Sequence, residues 1–389
     1  MFNSINLREF KTIKERRKAI EKALKIPLEN IGCYSLNEEV ASTRNCENMI
    51  GIAQIPLGIA GPIKLITHNS QPITCFIPLV TTEGALIASV NRGCKAVSES
   101  GGATVFVEKV GITRSPVFKT NSLAKSFKLA EWLDEHFSDL NNLCKTTSSH
   151  IKLLKIKSQV IARNVFVRFY FDTDQAMGMN MATIATNTLG AFIEEKTGSR
   201  CLSLTGNFCV DKKASWLNFL LGRGRKVWAE ARISRRVVKE VLKTTPEKIF
   251  EVWLAKCMLG SAVSGSLGFN AHFGNTIAAI FAATGQDLAH ITEGSLGITT
   301  VEVMDADLYI SIYLPDLIIG TVGGGTGLAT QKEAMSIIFG KEEPKVESFA
   351  EVIGGAVLAG ELSLLASLAE GSLAQAHLKL GRGPAKRGK

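Results

Sequence analysis

The chain has 389 residues, of which 46% are hydrophobic and 21% charged, and its formal net charge is +9 at neutral pH. This composition is that of a globular protein long enough for two or three domains, which excludes a disordered chain. The basic residues are spread along the sequence, and Tyr and Trp number only four each. This pattern argues against binding of nucleic acid and favours a polyanionic small molecule as the ligand.

The N-terminal segment is charged and amphipathic, so residues 7–26 are expected to form a helix and not a signal peptide. Eight cysteines follow along the chain without a C-x-x-C pair or a zinc-like quartet, which is typical of reduced thiols in the cytoplasm and predicts no metal site. Residues 257–286 lack Asp, Glu, Lys and Arg but are rich in Gly, Ser and Ala. They are interpreted as a buried central helix and not as a membrane span.

Helix and strand patterns alternate in the middle of the chain, between apolar segments rich in Gly and Ala. In chain order they are a helix at 122–137, strands within 151–171, a helix at 178–198 and a short strand at 201–205. This alternation predicts a compact α+β module inserted into a larger domain. Further strands are expected at 298–314 and a long helix at 346–377.

The segment TGNFCVDKKASW at 205–216 places Asp211, Lys212 and Lys213 between small and apolar neighbours. Asp287 is the first charged residue after thirty uncharged ones. Because a buried carboxylate needs a cationic partner or takes up a proton, we expect Asp287 to contact this lysine pair. A structural ion pair and a catalytic one both satisfy this pattern.

Two glycine-containing segments are candidates for binding phosphate. GTVGGGTGLAT at 320–330 matches neither G-x-G-x-x-G nor the P-loop, and a plain tight turn is the alternative. QAMGMN at 175–180 opens a predicted helix, whose free amides could hold an anion or could simply begin a packed helix. His377 ends the last predicted helix, where a proton donor and a surface histidine are both possible.

Nine segments together resemble one family, the class I type of 3-hydroxy-3-methylglutaryl-coenzyme A (HMG-CoA) reductase, over residues 47–382. In chain order they are ENMIGIAQIPLGIAGP, TTEGALIASVNRG, TRSPV, AMGMNM, TGNFCVDKK, GSAVSGSLGFNAHFGN, GQD, GTVGGGT and GELSLLASLAEG followed by a histidine. The resemblance implies a soluble, catalytic-domain-only enzyme that reduces HMG-CoA to mevalonate and CoA with two NADPH and no metal.

The resemblance also implies four catalytic residues. Lys212 would stabilise the oxyanion formed from the thioester carbonyl, and Asp287 would hold its ammonium group. Glu83, expected in the first turn of a helix, would protonate the aldehyde oxygen in the second reduction. His377 would protonate the departing CoA thiolate, and the mobile tail behind it would close over bound cofactor.

Contacts to both ligands follow from the same resemblance. The substrate carboxylate would meet Arg114, Thr205, Asp211 and Lys213, and the CoA portion would meet Ser89, Asn91, Arg92, Lys243, Lys256, His272 and Ser363. Asn275 would order the lysine–aspartate pair. The cofactor would contact Ser148, Met177, Gly178, Met179, Asn180, Gly323, Gly324, Gly325, Thr326 and Arg382.

Three positions depart from the family pattern. Thr205 replaces a usual Ser, Gln175 replaces an expected Asp, and Ser149 replaces an Arg that would bind the 2′-phosphate. Lys152 or Arg382 are the candidates to replace that arginine. A class II-like enzyme that uses NADH and a non-catalytic CoA-binding relative therefore stay open as alternatives.

The expected subunit is α/β with three parts. A small helical N-terminal domain covers residues 1–46, and a large domain built around a long central buried helix covers 47–115 and 206–389. A ferredoxin-like NADP(H)-binding module at 116–205 is inserted into it. We expect a cytoplasmic homodimer or tetramer that binds neither membrane nor nucleic acid.

Overall fold

The computed structural model describes residues 9–24, 32–67 and 72–371 of the chain. At the N-terminal side are two short helices, α1 (Ile13–Leu24) and α2 (Glu38–Arg44). Ile13, Ala41 and Met49 form a small core between these helices and the segment that follows them. The Asn37 side chain accepts a hydrogen bond from the Val40 amide and caps α2, as expected for Asn at this position.

Eleven strands form one continuous mixed sheet. The strands are β1 (Leu57–Ile66), β2 (Pro72–Val80), β3 (Ala103–Arg114), β4 (Val117–Lys119), β5 (Lys152–Ile161), β6 (Asn164–Asp172), β7 (Arg200–Ser203), β8 (Arg223–Ile233), β9 (Gly268–Phe269), β10 (Gly297–Met304) and β11 (Asp307–Leu317). The main path runs β7-β4-β6-β3-β8-β11-β10-β9, with β1 beside β3, β2 beside β1 and β5 beside β6. Mixed pairing with helices packed on the sheet confirms the predicted α/β fold class.

Twelve further helices complete the described fold. They are α3 (Leu86–Glu99), α4 (Leu123–Glu135), α5 (Phe137–Thr147), α6 (Met179–Thr197), α7 (Trp216–Leu221), α8 (Arg235–Glu240), α9 (Pro246–Trp253), α10 (Ser261–Ser264), α11 (Phe273–Thr284), α12 (Ile291–Gly294), α13 (Ala329–Phe339) and α14 (Val346–Glu370). A π-helical turn, Leu254–Gly260, joins α9 to α10.

Strand β3 connects two separate hydrophobic cores. Its first part pairs with β8, from Thr104 opposite Glu230 to Gly111 opposite Gly224. Its last three residues pair instead with β6. One core packs around α3, α11 and α14, and the other packs between α4, α5, α6 and strands β5 and β6. The domain boundaries themselves stay a prediction.

Helix α14 lies at the centre of the larger core. Most of its 25 residues are buried, and its glycines allow close packing: a Cβ at Gly355 would overlap the side chain of Leu65. On the facing helix α3, a Cβ at Gly93 would overlap the Ala359 carbonyl oxygen. Among the described residues, α14 alone is long and apolar enough to cross a membrane, but 83% of its most apolar window is buried inside the protein.

The long buried helix is therefore α14, and the interpretation of residues 257–286 as one buried helix is wrong. The chain leaves helical geometry at Gly265, which has φ +67°, and resumes it only at α11. Glycine ends a helix readily because the left-handed conformation costs it little. The first half of the segment also faces solvent, since Val263 is 91% exposed.

Candidate active site

Residues 205–213 form a tight loop between β7 and α7, called the lysine loop below. Three of its non-glycine residues have left-handed backbone conformations: Asn207 (φ +63°), Val210 (φ +51°) and Lys212 (φ +59°). A β-branched residue such as Val210 rarely adopts this conformation, and each such residue costs on the order of 1–3 kcal/mol. The loop is therefore held in its shape by contacts with its surroundings.

Lys212 forms an ion pair with Asp287. The Nζ–Oδ2 distance is 2.7 Å, and the two side chains are 42% and 32% exposed. Burial raises the pKa of Asp287, but the hydrogen bonds from Lys212 and from the Ala289 amide, with the charges of His290 and Lys212, outweigh burial and leave the pKa below its ordinary value. The contact expected from sequence is thus present, with a half-exposed carboxylate.

The ion pair faces a cleft of about 1160 Å³. The predicted substrate and cofactor residues that line it are Arg114, Met177, Met179, Asn180, Asp211, Lys212, Gly324, Gly325 and Thr326. The cleft is also lined by Tyr34 and Met49, so the N-terminal segment borders it. Leu328, which follows the glycine loop, lines it as well. Two separate glycine segments and the lysine loop therefore share one cavity, of the size range of ligand sites.

The glycine loop at 320–327 packs backbone to backbone on the segment that carries Asp287. A Cβ at Gly285 would overlap the Gly325 carbonyl, and a Cβ at Gly325 would lie 2.6 Å from the Gly285 oxygen. The buried Gln286 side chain accepts from the Gly320 amide (2.9 Å) and donates to the Gly320 carbonyl (3.0 Å). The two loops therefore form one rigid wall of the cleft.

Helix α6 begins at the cleft with Met179, and Gly178 (φ +82°) precedes it as the N-cap. A Cβ at Gly178 would overlap the side chain of Thr173, so this position requires glycine. The amides of the first turn of a helix have no partners within the helix, which makes this end able to bind an anion. Ser148, at the end of α5, donates to the sulfur of Met181 in α6 (3.7 Å).

Behind the lysine loop lies a cluster of buried charges, called the buried network below: Arg168, Asp211, Arg223, His290, Glu293 and Asp316. Arg223 is fully buried and donates to both oxygens of Glu293 (2.8 and 3.0 Å) and to Asp211 Oδ1 (2.9 Å). Burial lowers the pKa of Arg223, but the charges of Glu293, Asp316 and Asp211 outweigh burial and raise it. Arg223 is therefore a permanent cation beneath the site.

Arg168 holds the lysine loop in place through hydrogen bonds on the buried side of the loop. Its guanidinium donates to the Phe208 carbonyl (3.0 Å), to Asn218 Oδ1 (2.9 Å) and to the Gly222 carbonyl (3.1 Å). Asn218 in turn donates to the Val210 carbonyl (3.2 Å). These contacts from buried donors explain how the left-handed residues of the loop keep their conformation.

Asp316 is the uncompensated acid of the buried network. Neither of its carboxyl oxygens has a hydrogen-bond partner among the described residues. Burial and the charge of Glu293 raise the pKa of Asp316 well above its ordinary value, against the opposing charge of Arg223. This favours the neutral acid.

Asp211 joins the buried network to the cleft. Its Oδ1 accepts from Arg223 and its Oδ2 accepts from Arg114 at 3.2 Å. Arg114 also donates to Thr183 (3.0 Å). Both oxygens of Asp211 are thus engaged by arginines, so Asp211 holds Arg114 in the cleft while Arg114 keeps further donors for an anion.

Glu83 does not lie in the first turn of α3, because that helix starts at Leu86. It accepts a hydrogen bond from Asn275 at 3.0 Å, and among the described residues it has no ion pair with Lys212. Asn275 therefore holds Glu83, and the expectation that it orders the Lys212–Asp287 pair stays a prediction. Neither Glu83 nor Asn275 is among the residues that line the cleft, although the C-terminal end of α11 borders it.

His272 precedes α11, next to Asn275. Its backbone amide donates to Glu361 of α14 at 2.7 Å, and Glu361 also accepts from the Ala271 amide (2.8 Å) and the Thr299 hydroxyl (2.6 Å). The His272 Nε2 atom has no hydrogen-bond partner among the described residues. A buried acid thus fixes the segment that carries both His272 and Asn275.

The remaining predicted CoA contacts form two further groups. On α3 and α14, Ser363 accepts from Ser89 (3.0 Å) and from Arg92 (3.0 Å), while Asn91 accepts from the Gly61 amide (3.0 Å). Lys256 lines a second cavity of about 450 Å³ bordered by Ser264, Ser266 and Asn270. Lys243 is exposed at the end of α8, with φ +60°.

Five predicted residues remain. Thr205 is exposed, and its hydroxyl lies 3.9 Å from the Cys209 sulfur. Lys213 is exposed and donates to the Asp211 carbonyl (3.1 Å), and Gly323 (φ +81°) begins the short helical turn Gly324–Gly327. His377 and Arg382 lie outside the described residues.

The sequence analysis missed Arg168, Arg223, His290, Glu293 and Asp316. A signal was present for two of them, because Asp287, His290 and Glu293 recur every third residue, the spacing of one helix face. Ligand atoms of Asp211, His290 and Glu293 lie within 4.8 Å of one another. Since Arg223 already neutralises both carboxylates, this group is better explained as an ion-pair network than as a metal site.

Comparison with known proteins gives a consistent result. Residues 12–382 match the family model described as hydroxymethylglutaryl-coenzyme A reductase. The chain is 47% identical to the 3-hydroxy-3-methylglutaryl-coenzyme A reductase of Methanothermobacter thermautotrophicus over 95% of this chain and 94% of that protein. It is 50% identical to the protein of the same name from Methanocaldococcus jannaschii, over 94% and 92% of the two chains.

A solved structure has the same fold. The structure of a class II 3-hydroxy-3-methylglutaryl-CoA reductase from Streptococcus pneumoniae bound to NADPH superposes with a TM-score of 0.67. It covers 94% of this chain and 100% of that one, at 20% sequence identity. At this identity the likeness concerns the fold alone.

Proposed function

The chain belongs to the hydroxymethylglutaryl-coenzyme A reductase family, and from this membership we propose that it reduces HMG-CoA to mevalonate and CoA with two NADPH. The observation that carries the proposal is the Lys212–Asp287 ion pair, which faces a cleft shared with two glycine segments. A reductase of a thioester needs a fixed cation where an oxyanion develops, and a surface next to it that can hold a polyanionic cofactor.

We assign to Lys212 the stabilisation of the oxyanion formed at the thioester carbonyl. Its partner Asp287 orients the ammonium group. The left-handed backbone of Lys212 and the bonds from Arg168 and Asn218 limit the movement of the loop, so little reorganisation is needed during reaction.

Glu83 and His377 are assigned as proton donors. Glu83, held by Asn275, would protonate the aldehyde oxygen in the second reduction. His377 would protonate the CoA thiolate, since a free thiol has a pKa of about 8.5 and an imidazole can supply a proton near neutral pH. The predicted substrate contacts from Arg114, Thr205 and Lys213 stay part of this proposal.

The cleft suits a dinucleotide cofactor. A Cβ at Gly323 or Gly324 would meet no atom within 4 Å, so the backbone of this loop is open on its cleft side. The N-terminus of α6 with Met177 and Asn180 provides amides and soft apolar surface opposite it. When bound there, the nicotinamide supplies the hydride for each reduction step.

NADPH in preference to NADH stays a proposal, and the class I type stays a separate one. The overall net charge of +9 favours the more anionic cofactor, whereas Ser149 and Gln175 are not phosphate-binding side chains. Gln175 accepts from the Val346 amide (2.8 Å), so it ties the cofactor segment to α14. Initial rates with both cofactors test the choice, and equal or higher efficiency with NADH would favour the class II-like alternative.

We further propose a cytoplasmic homodimer or tetramer. The exposed apolar side chains of Leu259 (59%) and Val263 (91%) around the π-helical turn support a subunit contact. Light scattering of the purified protein measures the assembly directly. A fully active monomer would contradict this part of the proposal.

The main experiment compares wild type with Lys212→Ala. We expect HMG-CoA-dependent oxidation of NADPH by the wild type, with mevalonate as product, and a kcat about 10³-fold lower in the variant. Lys128→Ala removes an exposed lysine of α4 and serves as the matched control, with wild-type rates expected. Equal rates for wild type and Lys212→Ala would refute the mechanism, and absence of mevalonate would favour a non-catalytic CoA-binding relative.

A further inference from the structure

We propose that His290 is a positioning residue for this reduction, linking Asp287 to the buried Glu293–Arg223 pair and so fixing the carboxylate that holds Lys212. The proposal rests on the proposed function. It assigns to a buried side chain outside the cleft a part in setting the rate of the reaction.

The geometry places the imidazole between two carboxylates. His290 is fully buried, and its Nδ1 atom is in short contact with Glu293 Oε1. Its Nε2 atom lies 3.6 Å from Asp287 Oδ2, the oxygen that also contacts Lys212. Nε2 has no hydrogen-bond partner among the described residues, and the Asp287 oxygen lies just beyond hydrogen-bond distance as an ion-pair contact. The imidazole therefore spans the distance from the buried network to the cleft.

The contacts determine where the protons must lie. A carboxylate can only accept, so the Nδ1 atom facing Glu293 carries a hydrogen. In the neutral ring Nε2 would then present a lone pair to the Asp287 oxygen, which is repulsive. With a second hydrogen, Nε2 donates toward Asp287 and the imidazolium lies between two anions. Asp287 is held in place in this second state.

The surrounding charges are compatible with that state. From β8, Arg223 bonds Glu293, and from the lysine loop, Asp211 lies 3.9 Å from Nδ1. From β11, Asp316 faces Glu293. Burial and the charge of Glu293 favour the neutral form of Asp316. Helix α11, which packs on α12, carries no charged side chain. Arg168 of β6 adds the second buried cation of the network, near Asp316.

Two substitutions distinguish the role of Nδ1 from the role of Nε2. His290→Asn keeps an amide donor near the Nδ1 position and leaves nothing at Nε2. His290→Gln places an amide donor near Nε2 that does not titrate. His136→Asn is the matched control, since His136 is a half-buried imidazole of the inserted module that contacts Trp132.

We expect kcat to fall about 10- to 100-fold in His290→Asn, the loss typical when a partner that orients a functional ligand is removed. His290→Gln should recover to within about fivefold of wild type, with KM for HMG-CoA little changed in both. The dependence of kcat on pH should differ from that of wild type in both His290 variants, and His136→Asn should keep the wild-type profile.

Thermal unfolding of each variant accompanies the kinetics. Wild-type kcat and pH profile in both His290 variants would overturn the inference. So would equal losses in both with the wild-type profile retained, because a purely structural role predicts that result. If wild type itself oxidises no NADPH with HMG-CoA, the proposed function fails and this inference with it. If only the variants depart from expectation, the inference alone fails.

Discussion

Two regions of this protein are almost completely buried. One consists mainly of apolar side chains, and the other consists of charged side chains. The core around α14 consists mainly of apolar side chains and glycines, with Leu358 and Leu362 fully buried and Glu361 as a hydrogen-bonded exception. The buried network contains two arginines with no exposed surface, together with Glu293 and His290. The first region gains free energy from burial, while the second loses hydration energy that its ion pairs only partly return.

The difference indicates what each region is for. Apolar packing around α14 needs no particular charge and fixes the fold through volume and contact. The buried network lies directly beneath the strained lysine loop and Asp287, and each of its ion pairs fixes a direction as well as a distance. We interpret the cost of burying these charges as the source of a rigid geometry at the site.

The largest expected effect comes from breaking the central ion pair of the buried network. Arg223→Met should lower the free energy of unfolding by about 3–5 kcal/mol, because Glu293 is left buried without its cation. Chemical denaturation of both proteins measures the change. The double variant Arg223→Met with Glu293→Gln should regain part of the loss. A destabilisation below 1 kcal/mol in the single variant would show that the network is solvated.

The next effect depends on pH. Because the pKa of Asp316 is raised in the folded protein, the native state holds a proton that the unfolded state releases near its ordinary pKa of about 3.9. The stability contributed by this group is therefore present at low pH and lost as pH rises through the folded pKa. Wild type should therefore lose stability relative to Asp316→Asn as pH rises from about 5 to about 7, because over this range the folded state holds the proton and the unfolded state does not.

Denaturation at several pH values tests this expectation. The measured quantity is the change with pH in the difference between the unfolding free energies of the two proteins. A pH-independent cost of the Asn amide does not affect this change. A difference that does not change with pH would mean that Asp316 is ionised in the folded protein.

A smaller effect is expected in the apolar core. Gly93→Ala should destabilise by about 1–3 kcal/mol, because the added Cβ meets the Ala359 carbonyl and forces α3 away from α14. Gly101→Ala is a useful comparison, since its Cβ would meet nothing within 4 Å but its φ of +109° is unfavourable for alanine. Denaturation midpoints compare the two. An unchanged midpoint for Gly93→Ala would show that α3 and α14 can separate without cost.

The smallest expected change in stability is at Val210. Val210→Gly removes a β-branched side chain from the left-handed region and should change the free energy of unfolding by less than about 1 kcal/mol, because the relief of strain is offset by greater freedom of the unfolded chain. We nevertheless expect kcat to fall, since the lysine loop becomes less constrained. Unchanged kcat would show that the strain at Val210 does not serve the position of Lys212.

Sequence reasoning predicted the contact between Lys212 and Asp287 because a lone carboxylate after thirty uncharged residues signals a need for a cation. It did not predict the buried network. Arg223 belongs to the short basic run RGRK, which has the appearance of a surface segment, yet the sheet buries it completely. Burial of a charged side chain depends on partners distant in sequence, here Glu293 seventy positions later.

The same limit explains the misplaced central helix. Residues 257–286 have the hydropathy of a core helix, but the left-handed Gly265 and the exposed π-helical turn divide the segment. The sequence pattern at 346–377 predicts a helix. Only its packing against α3 and β8 shows that α14 lies at the centre of the core. Local pattern predicts an element, whereas its depth in the fold is decided by long-range contacts.

The position of α14 in the chain has a consequence for biosynthesis. The strands β1, β3 and β8 and the helix α3 leave the ribosome before the helix that covers them. Their apolar faces, including Leu65, Val105 and Val227, must remain without their final partner during that interval. Domains generally fold as units during synthesis, and strands that are exposed at that stage are prone to aggregate. Holding chaperones are therefore expected to determine the yield of this protein more than its final stability does.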